Sequence, residues 1–229
     1  MKTILLSSGI PADLSEKIEK LTGCEVVLLP GYGKLPEPVR SHPDMLVFAA
    51  GGSIVTDGGY YAANRSLFDS LGKAVIISGK CISDKYPGDV AFNSFDIDGT
   101  LFGRLDSLSD EVKNMFDKKV NVRQGYAKCS TVLLPDGSVI TADAGIASAV
   151  SANGREVLVI GAGNIDLPGY DAGFIGGASF VYGGYLYFFG DPALHPDGER
   201  MIVFAEDHGC GAAALSDTKL FDHGGAVIV

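Results

Sequence analysis

Residues 129–160 read CSTVLLPDGSVITADAGIASAVSANGREVLVI. The segment begins with an apolar run, turns at Pro-Asp-Gly and continues as a second apolar run, which is typical of two strands joined by a hairpin. A short helix follows, ends at Gly154 and leads into a third apolar run. We therefore predict a unit of two strands, a helix and a third strand.

The same order recurs along the chain, in residues 45–77, 90–122 and 172–215. Each unit has an aspartate between its second strand and its helix, where a carboxylate can accept hydrogen bonds from the first helical N–H groups. These predicted caps are Asp57, Asp106, Asp143 and Asp191. Three predicted helices end at a glycine, as is common for a left-handed turn, and the helix of the 90–122 unit ends at two lysines. The residues are Gly72, Gly154, Gly209 and Lys118–Lys119.

The two ends of the chain complete each other. Residues 224–229, GGAVIV, read as a first strand without a partner, whereas residues 2–29 read as a second strand, a helix and a third strand. Together they form a fifth unit, with Ser7 or Ser8 as the predicted cap. Placing both termini in one unit would close a ring and remove the free sheet edges that favour aggregation.

Five such units closed through the termini resemble the pentein superfamily over essentially the whole chain. The resemblance implies one domain, residues 1–229, folded as a five-bladed α/β propeller of ββαβ units with pseudo-fivefold symmetry. The units would span about 44–80, 88–122, 126–160, 170–215, and 220–229 joined with 1–30. Members include arginine and agmatine deiminases, amidinotransferases and dimethylarginine hydrolases, which modify guanidino groups. A translation initiation factor has the same fold without catalysis.

The segments that lead into the first strands would face the centre of such a ring. They read HPD at 42–44, YPGD at 86–89, YAKC at 126–129, GYD at 169–171 and LFD at 220–222. Four units thus place an aspartate there, and the third places Lys128 and Cys129 instead. Converging carboxylates repel each other unless a cation neutralises them, and that cation could be Lys128, a guanidinium or a metal. The four aspartates are Asp44, Asp89, Asp171 and Asp222.

The resemblance also implies roles for these residues. The enzymes attack a guanidinium with a cysteine, use a histidine as acid and base, and hold the guanidinium with carboxylates. Matching types here are Cys129 as the nucleophile, His223 or His42 as the proton carrier, and the four aspartates as ligands, with Lys128 lowering the thiol pKa. In the enzymes, however, the nucleophile lies in the last unit and the histidine in a middle one.

Other interpretations remain open. The chain could be a non-catalytic binding module for a small cationic ligand or a protein partner, and its aspartates could simply cap turns. Cys129 could be a core residue, as we predict for Cys24 and Cys210, and Cys81 is a minor alternative nucleophile. A metal could bind the aspartates together with His42 or His223.

Composition narrows the class of protein. The net charge is −10, from 18 basic and 28 acidic residues, without a basic run, which argues against nucleic acid or an anionic membrane as the main partner. No apolar stretch reaches the roughly 18–20 residues that span a bilayer, and the N-terminal one is too short for a signal peptide. Four cysteines without a CxxC pair suggest reduced thiols. We predict a cytoplasmic protein with no cofactor and no resident metal; the sequence leaves its oligomeric state open.

Overall fold

The computed structural model describes residues 2–229; Met1 of the predicted domain lies outside the described residues. The strands are β1 Thr3–Ser7, β2 Glu25–Leu29, β3 Val47–Ala50, β4 Ser53–Asp57, β5 Ala74–Ser78, β6 Phe95–Ile97, β7 Thr100–Gly103, β8 Lys118–Asn121, β9 Thr131–Leu133, β10 Val139–Thr141, β11 Val157–Val159, β12 Ser179–Tyr182, β13 Tyr185–Phe188, β14 Gly211–Ala214 and β15 Val227–Ile228. The α-helices are α1 Ala12–Thr22, α2 Pro43–Leu46, α3 Gly58–Ala63, α4 Arg65–Ser70, α5 Asp110–Asn114, α6 Ala144–Ala152 and α7 Gly198–Asp207. Short 3-10 helices span Glu37–Val39 and Pro192–Leu194. None of the helices in this part of the chain is long and apolar enough to cross a membrane.

The strands form five separate three-stranded sheets with one topology. In the sheet of the 129–160 segment, β10 lies in the middle, antiparallel to β9 and parallel to β11. The antiparallel pair is a hairpin, and the parallel pair is joined through α6, as a parallel connection requires a crossover. The other sheets are β3-β4-β5, β6-β7-β8, β12-β13-β14 and β15-β1-β2. The predicted order of strands and helices is therefore found five times, in a mixed α/β fold whose described sheets each stay open.

The two ends of the chain share one sheet, as predicted. Strand β1 pairs antiparallel with β15 and parallel with β2. The backbone N–H of Thr3 donates to the carbonyl of Val229 at 3.0 Å, and the N–H of Val229 donates back at 2.9 Å. The last residues thus supply the first strand of a unit that the first residues complete.

Three predicted caps accept the expected hydrogen bonds. Asp57 accepts from the backbone N–H groups at the start of α3, and Asp143 accepts from the N–H of Ile146 in α6. Asp191 caps the 3-10 helix Pro192–Leu194, and α7 begins only at Gly198. These aspartates are therefore explained by helix starts.

Two predicted caps are wrong, because the helix begins later than the end of the preceding strand. Ser109, and not Asp106, caps α5 by accepting from a backbone N–H. Asp106 binds Arg104 instead. Helix α1 follows Pro11 without a side-chain cap, and the Ser7 hydroxyl accepts from the N–H of Gly9.

Three of the four predicted helix ends are found, and the fourth is wrong. Gly72, Gly154 and Gly209 each follow a helix in the left-handed region, with φ of 61°, 77° and 71°. Helix α5 ends at Asn114, so the lysines assigned to its end, Lys118 and Lys119, belong to β8. This four-residue strand, KKVN, begins with two exposed lysines and was too short to be distinguished from a helix end.

The hydrophobic core lies between neighbouring sheets. One cluster joins Leu5 of the terminal sheet to the β3–β5 and β6–β8 sheets, so the first and fifth units also pack together. Each pair of consecutive sheets also contributes buried residues to a common hydrophobic cluster. Examples of residues that share a cluster are Val55 with Leu101, Phe102 with Val139, Ile140 with Leu186, and Tyr187 with Ile4. Burying one such side chain contributes about 1.5–3 kcal/mol, so each unit depends on its neighbours for stability.

Candidate active site

Five equivalent positions lie at the point where the first strand of each sheet begins. Counted two residues back from the starts of β3, β6, β9, β12 and β15, these pre-strand residues are Met45, Asn93, Cys129, Gly177 and Gly225. They contact each other in order along the chain. Asn93 Nδ2 lies 3.5 Å from Met45 Sδ and 3.0 Å from Cys129 Sγ. The N–H of Gly177 donates to the carbonyl of Cys129, and that of Gly225 to the carbonyl of Gly177.

The Cys129 thiol is held by two side chains. It is 3% exposed, donates to Asp44 Oδ2 at 2.8 Å and accepts from Asn93 Nδ2 at 3.0 Å. The other amide atom of Asn93, Oδ1, accepts from the backbone N–H groups of Lys128 and Cys129 at 2.8 and 3.2 Å. Asn93 therefore fixes both the backbone and the sulfur of the proposed nucleophile.

Charge and burial favour the protonated form of this thiol. Burial raises the pKa of Cys129 well above its ordinary value, and the carboxyls of Asp44 and Asp222 raise it further. The sequence led us to expect the opposite direction from Lys128. Burial and Asp222 also raise the pKa of Asp44 to about 7, although the thiol hydrogen bond and Lys128 oppose them. A cation in the cavity would reverse these effects, because it favours both the thiolate and the carboxylate.

The second buried carboxyl, Asp222, is 1% exposed and accepts two backbone hydrogen bonds. Its donors are the N–H groups of Phe174 at 2.8 Å and Gly224 at 2.9 Å. Burial raises the pKa of Asp222 to about 6, and these two bonds hold it below what burial alone would give. A Cβ atom at Gly177 would overlap this carboxylate. Asp222 thus occupies the space that a side chain takes at the pre-strand position of the first three units.

The two candidate histidines have different surroundings. His42 Nδ1 lies 3.7 Å from Asp222 Oδ1, and burial lowers the pKa of His42 to about 4. His223 packs against the rings of Phe189 and Phe221, at centroid distances of 5.3 and 4.5 Å. Burial, with a smaller contribution from His42, lowers the pKa of His223 to about 4 as well. Both imidazoles are therefore neutral at pH 7.

A cavity of about 250 Å³ lies against the thiol. Its described lining residues include His42 and Asp222 but not His223, and no lysine or arginine is among them. The residues that carry polar or aromatic groups are His42, Tyr126, Cys129, Tyr170, Asp171, Phe174 and Asp222. Aromatic faces and carboxylates are the groups that bind a planar cation.

The four predicted aspartates do not occupy equivalent positions. Asp44, Asp89, Asp171 and Asp222 precede their strands, which begin at Val47, Phe95, Ser179 and Val227, by three, six, eight and five residues. Asp44 and Asp222 come together around the thiol. Asp89 is buried and accepts from the Tyr126 hydroxyl at 2.6 Å, and Asp171 is an exposed residue at the rim of the cavity.

Lys128 lies on the other side of the thiol, facing the first strands. It is half-buried and lines two cavities of about 210 and 170 Å³ whose walls come largely from β3, β6, β9, β12 and β15. Asp44 lines the larger of them. Among the described residues no carboxylate lies within 4 Å of the Lys128 ammonium, so Lys128 acts on Asp44 and Asp222 at longer range and lowers both pKa values.

Sequence reasoning missed three residues of this site: Asn93, Tyr126 and Gly177. Asn93 and Gly177 precede their strands by the same two residues as Cys129, so a count from correct strand starts would have found them. Tyr126 lies in the quoted segment YAKC, but only the structure shows its bond to Asp89.

None of the other three cysteines is among the described residues that line the cavity at Cys129. Cys24 and Cys210 are buried in the hydrophobic core, as predicted, and Cys81 is exposed. Within residues 2–229 no group of three or more His, Cys, Asp or Glu side chains is arranged to hold a metal ion. The carboxyls around Cys129 therefore give the metal hypothesis no support.

Solved structures that share this fold include a dimethylaminohydrolase, an amidinotransferase and an arginine dihydrolase. Dimethylarginine dimethylaminohydrolase from Pseudomonas aeruginosa, complexed with citrulline, is 9% identical, with a TM-score of 0.54 over 93% of this chain and 91% of that one. Inosamine-phosphate amidinotransferase from Streptomyces griseus is 13% identical, with a TM-score of 0.53 over 93% and 75%. A cyanobacterial arginine dihydrolase is 12% identical, with a TM-score of 0.55 over 98% of this chain and 38% of that one.

These neighbours confirm the likeness to the pentein superfamily that the repeats predicted, and at this level of identity they establish the fold alone. The chain belongs to DUF6873, described as a family of unknown function, whose model matches residues 5–227. No curated protein matches the chain at a significant level.

Proposed function

We propose that this chain is an enzyme that modifies guanidine or amidine groups, as a hydrolase or an amidinotransferase, with Cys129 as its nucleophile. One observation carries the proposal. A single cavity brings together a thiol, a buried carboxylate and an imidazole, and a second buried carboxyl is hydrogen-bonded to the thiol. The fold neighbours, a dimethylaminohydrolase, an amidinotransferase and a dihydrolase, favour the same chemistry.

We infer further that the five sheets are the blades of a closed α/β propeller. Consecutive sheets share hydrophobic clusters, and the fifth shares one with the first. The first strands of all five line the two adjoining cavities beside Lys128. In this arrangement the pre-strand residues surround the axis, which accounts for their contacts in chain order.

A guanidinium would bind with its plane against an aromatic face and its N–H groups on carboxylates. Asp222 offers its oxygens at the cavity wall, and Tyr126 and Phe174 stack 5.7 Å apart beside it. A carboxylate matches paired guanidinium N–H donors, and an aromatic face stabilises the cation. Bound cation would lower the pKa of Cys129, which is raised in the free protein.

Asp44 is the group best placed to move the proton. It already accepts the hydrogen bond of the thiol, and its pKa of about 7 lets it both take and release a proton near neutral pH. His42, whose pKa is lowered to about 4, is a poorer proton carrier until a negative charge develops near it. We therefore assign the proton transfer to Asp44. His42 would orient Asp222 and the substrate. His223, which packs against two phenylalanines, has no role in the reaction because it does not line the cavity.

The bonds change in two steps. The thiol proton passes to Asp44, Cys129 Sγ bonds to the central guanidinium carbon, and one C–N bond breaks as the leaving amine takes the proton from Asp44. A cationic thiouronium remains on the sulfur. In a hydrolase, water adds to the same carbon and gives a proton to Asp44, the C–S bond breaks, and the thiolate takes that proton back while the protonated urea product loses one to solvent. In a transferase, an acceptor amine replaces water.

The test compares two alkylating agents of similar shape, cationic chloroacetamidine and neutral chloroacetamide, with peptide mapping of each cysteine. We expect chloroacetamidine to label Cys129 at least about 100-fold faster than chloroacetamide, because only the amidinium lowers the thiol pKa. The preference should disappear in Asp222→Asn. Exposed Cys81 is the internal control and should react with both reagents within a few-fold. Equal rates for the two reagents at Cys129 would contradict the proposal.

The alternative is a binding module that holds a guanidinium without chemistry. It would give an increase in melting temperature with guanidine compounds, as any ligand of the folded state does. It would also leave guanidines intact after long incubation, with no mass added to Cys129. Product formation that disappears in Cys129→Ala separates the enzyme from the module.

A further inference from the structure

A second, larger cavity adjoins the one at Cys129. The second cavity has a volume of about 340 Å³ and shares the wall formed by Asp171, Ala172 and Phe174 with the first. Its far side is formed by the glycine-rich segment 161–163. Phe174 therefore stands between two adjoining cavities, and its backbone N–H holds Asp222. The second cavity is thus the space next to a reactive group held at Cys129.

The second cavity contains polar atoms that the protein leaves without partners. Ser130 is 3% exposed and lines this cavity, and its hydroxyl has no hydrogen-bond partner among the described residues. A buried hydroxyl without a partner is unfavourable and indicates a group that the protein itself does not supply. Asp171 makes no side-chain hydrogen bond or ion pair with any described residue, and Asp143 Oδ2 accepts only a long bond, 3.3 Å, from Gln124. The polar side-chain atoms with which a ligand could bond here are therefore the carboxylate oxygens of Asp171 and Asp143 and the Ser130 hydroxyl, which can accept or donate.

The charge of these walls selects among possible ligands. The described lining residues of both cavities include Asp143, Asp171 and Asp222 but no lysine or arginine. A ligand carboxylate placed there would face carboxylates and have no cationic partner, which is costly at a partly buried site. An ammonium group would instead match Asp171, Asp143 and the Ser130 hydroxyl.

We propose that the second cavity binds the far end of the substrate, and that this end carries an ammonium group and no carboxylate. The substrate class is thus an amine-tailed guanidine, a dication, rather than an amino acid. This inference rests on the proposed function, since it places the guanidinium at Cys129. It gives Asp171, at the wall common to both cavities, a role in choosing the substrate.

The experiment measures dissociation constants in the Cys129→Ser protein by calorimetry and thermal shift. The probes are methylguanidine without a tail, agmatine with an ammonium tail, 4-guanidinobutyrate with a carboxylate tail, and arginine with both. We expect agmatine to bind at least 10-fold more tightly than methylguanidine, and 4-guanidinobutyrate and arginine to bind more weakly than agmatine by at least the same factor.

Three variants test whether the second cavity causes the preference. Asp171→Asn and Ser130→Ala should each weaken agmatine several-fold and leave methylguanidine unchanged. Because the Ser130 hydroxyl has no partner, Ser130→Ala should fold with an unchanged or higher melting temperature. The control is Asp217→Asn, an exposed aspartate outside both cavities, which should alter neither ligand.

The outcomes separate this inference from the function on which it rests. If methylguanidine binds and 4-guanidinobutyrate or arginine equals agmatine, the amine-tail inference is wrong and the guanidinium site stands. If no guanidine binds, 1,4-diaminobutane is tested: binding that depends on Asp171 and Ser130 supports the ammonium site without the guanidinium site. No binding of either kind overturns both.

Discussion

The pre-strand residues of the first three units differ from those of the last two. Met45, Asn93 and Cys129 fill the space in front of their strands with side chains that touch one another, whereas Gly177 and Gly225 have none. The carboxylate of Asp222 lies in the space left at Gly177. The repeat thus builds a common frame, and a candidate site arises where the frame departs from its own symmetry.

The largest effect is expected when the pre-strand position of the fourth unit, Gly177, is given a side chain. In Gly177→Ala the new methyl group would overlap the Asp222 carboxylate, which must move and lose its bonds to Phe174 and Gly224. We expect a loss of about 3 kcal/mol or more in the free energy of unfolding, measured by urea denaturation, and loss of guanidinium binding.

The matched control is Gly33→Ala. Gly33 is exposed, has no atom within 4 Å of an added Cβ, and has no positive φ. It should change the stability by less than about 0.5 kcal/mol. If Gly177→Ala behaves like this control, the space at Gly177 is not needed by Asp222.

The opposite change removes the side chain at the pre-strand position of the second unit, Asn93. Asn93→Ala removes the donor to Cys129 Sγ and leaves the N–H groups of Lys128 and Cys129 without their acceptor. We expect a loss of about 2–4 kcal/mol in urea denaturation, because buried groups lose their partners. Asn153→Ala, which removes an exposed bond to a helix carbonyl, should cost less than about 1 kcal/mol. Equal losses would mean that burial of Asn93 contributes nothing.

The third prediction concerns the pH dependence that Asp44 gives the folded state. Its pKa is about 7 in the fold and 3.8 ordinarily, so the folded protein holds the proton more tightly than the unfolded one. Asp44 therefore lowers the free energy of unfolding increasingly as pH rises from about 4 to about 7, by a few kcal/mol at about 1.4 kcal/mol per pKa unit. Asp44→Asn lacks this effect.

Melting temperatures of Asp44→Asn and wild type should thus diverge in favour of the variant from pH 4 to pH 7 and stay parallel above. Burial lowers the pKa values of His42 and His223, so both proteins become less stable as the pH falls below 6.5. This loss is the same in the two proteins and cancels in the difference between their melting temperatures. Asp217→Asn, on the surface, should give a flat difference. A flat difference for Asp44→Asn would refute the raised pKa.

The smallest expected effect tests Lys128, which distinguishes the third unit from the other four. Its ammonium lowers the pKa of Asp44 and Asp222, so Lys128→Met should raise both. We expect the pH midpoint of methylguanidine binding to rise at low salt, and to rise by less in 1 M salt, since the lysine is partly exposed and screened. A midpoint that falls would contradict this role.

The sequence was sufficient to predict the repeat and the pairing of the chain ends, because both are written in local patterns. Apolar runs, Pro-Asp-Gly, Asp143 and Gly154 each specify a strand, a turn or a helix end without reference to distant residues. The burial of Cys24 and Cys210 followed from their equivalent places after helix-ending glycines. The presence of Cys129, Asp44 and Asp222 near one centre followed from the repeat.

The register of the site could not be predicted, because the first strands begin later than their apolar runs. Residues 90–94, VAFNS, read as the start of a strand, but β6 begins at Phe95. Asn93 instead closes a turn, in which its backbone N–H donates to the carbonyl of Val90. A shift of a few residues changes which side chain meets Cys129. Aspartates that seemed equivalent in sequence therefore separate into two at the thiol, one bound to Tyr126 and one at the rim.

The β15-β1-β2 sheet also affects the order in which contacts form during folding. Strand β1 is synthesised well before β15, so Ile4 must wait for its partner Ile228, which follows 224 residues later in the chain. Contacts this distant in sequence form late, and until then β1 presents an open edge. Asp222 arrives only six residues before Ile228, so the carboxylate at the cavity and the closing strand reach the growing protein together. A nascent chain would therefore hold most of the frame before it holds a site.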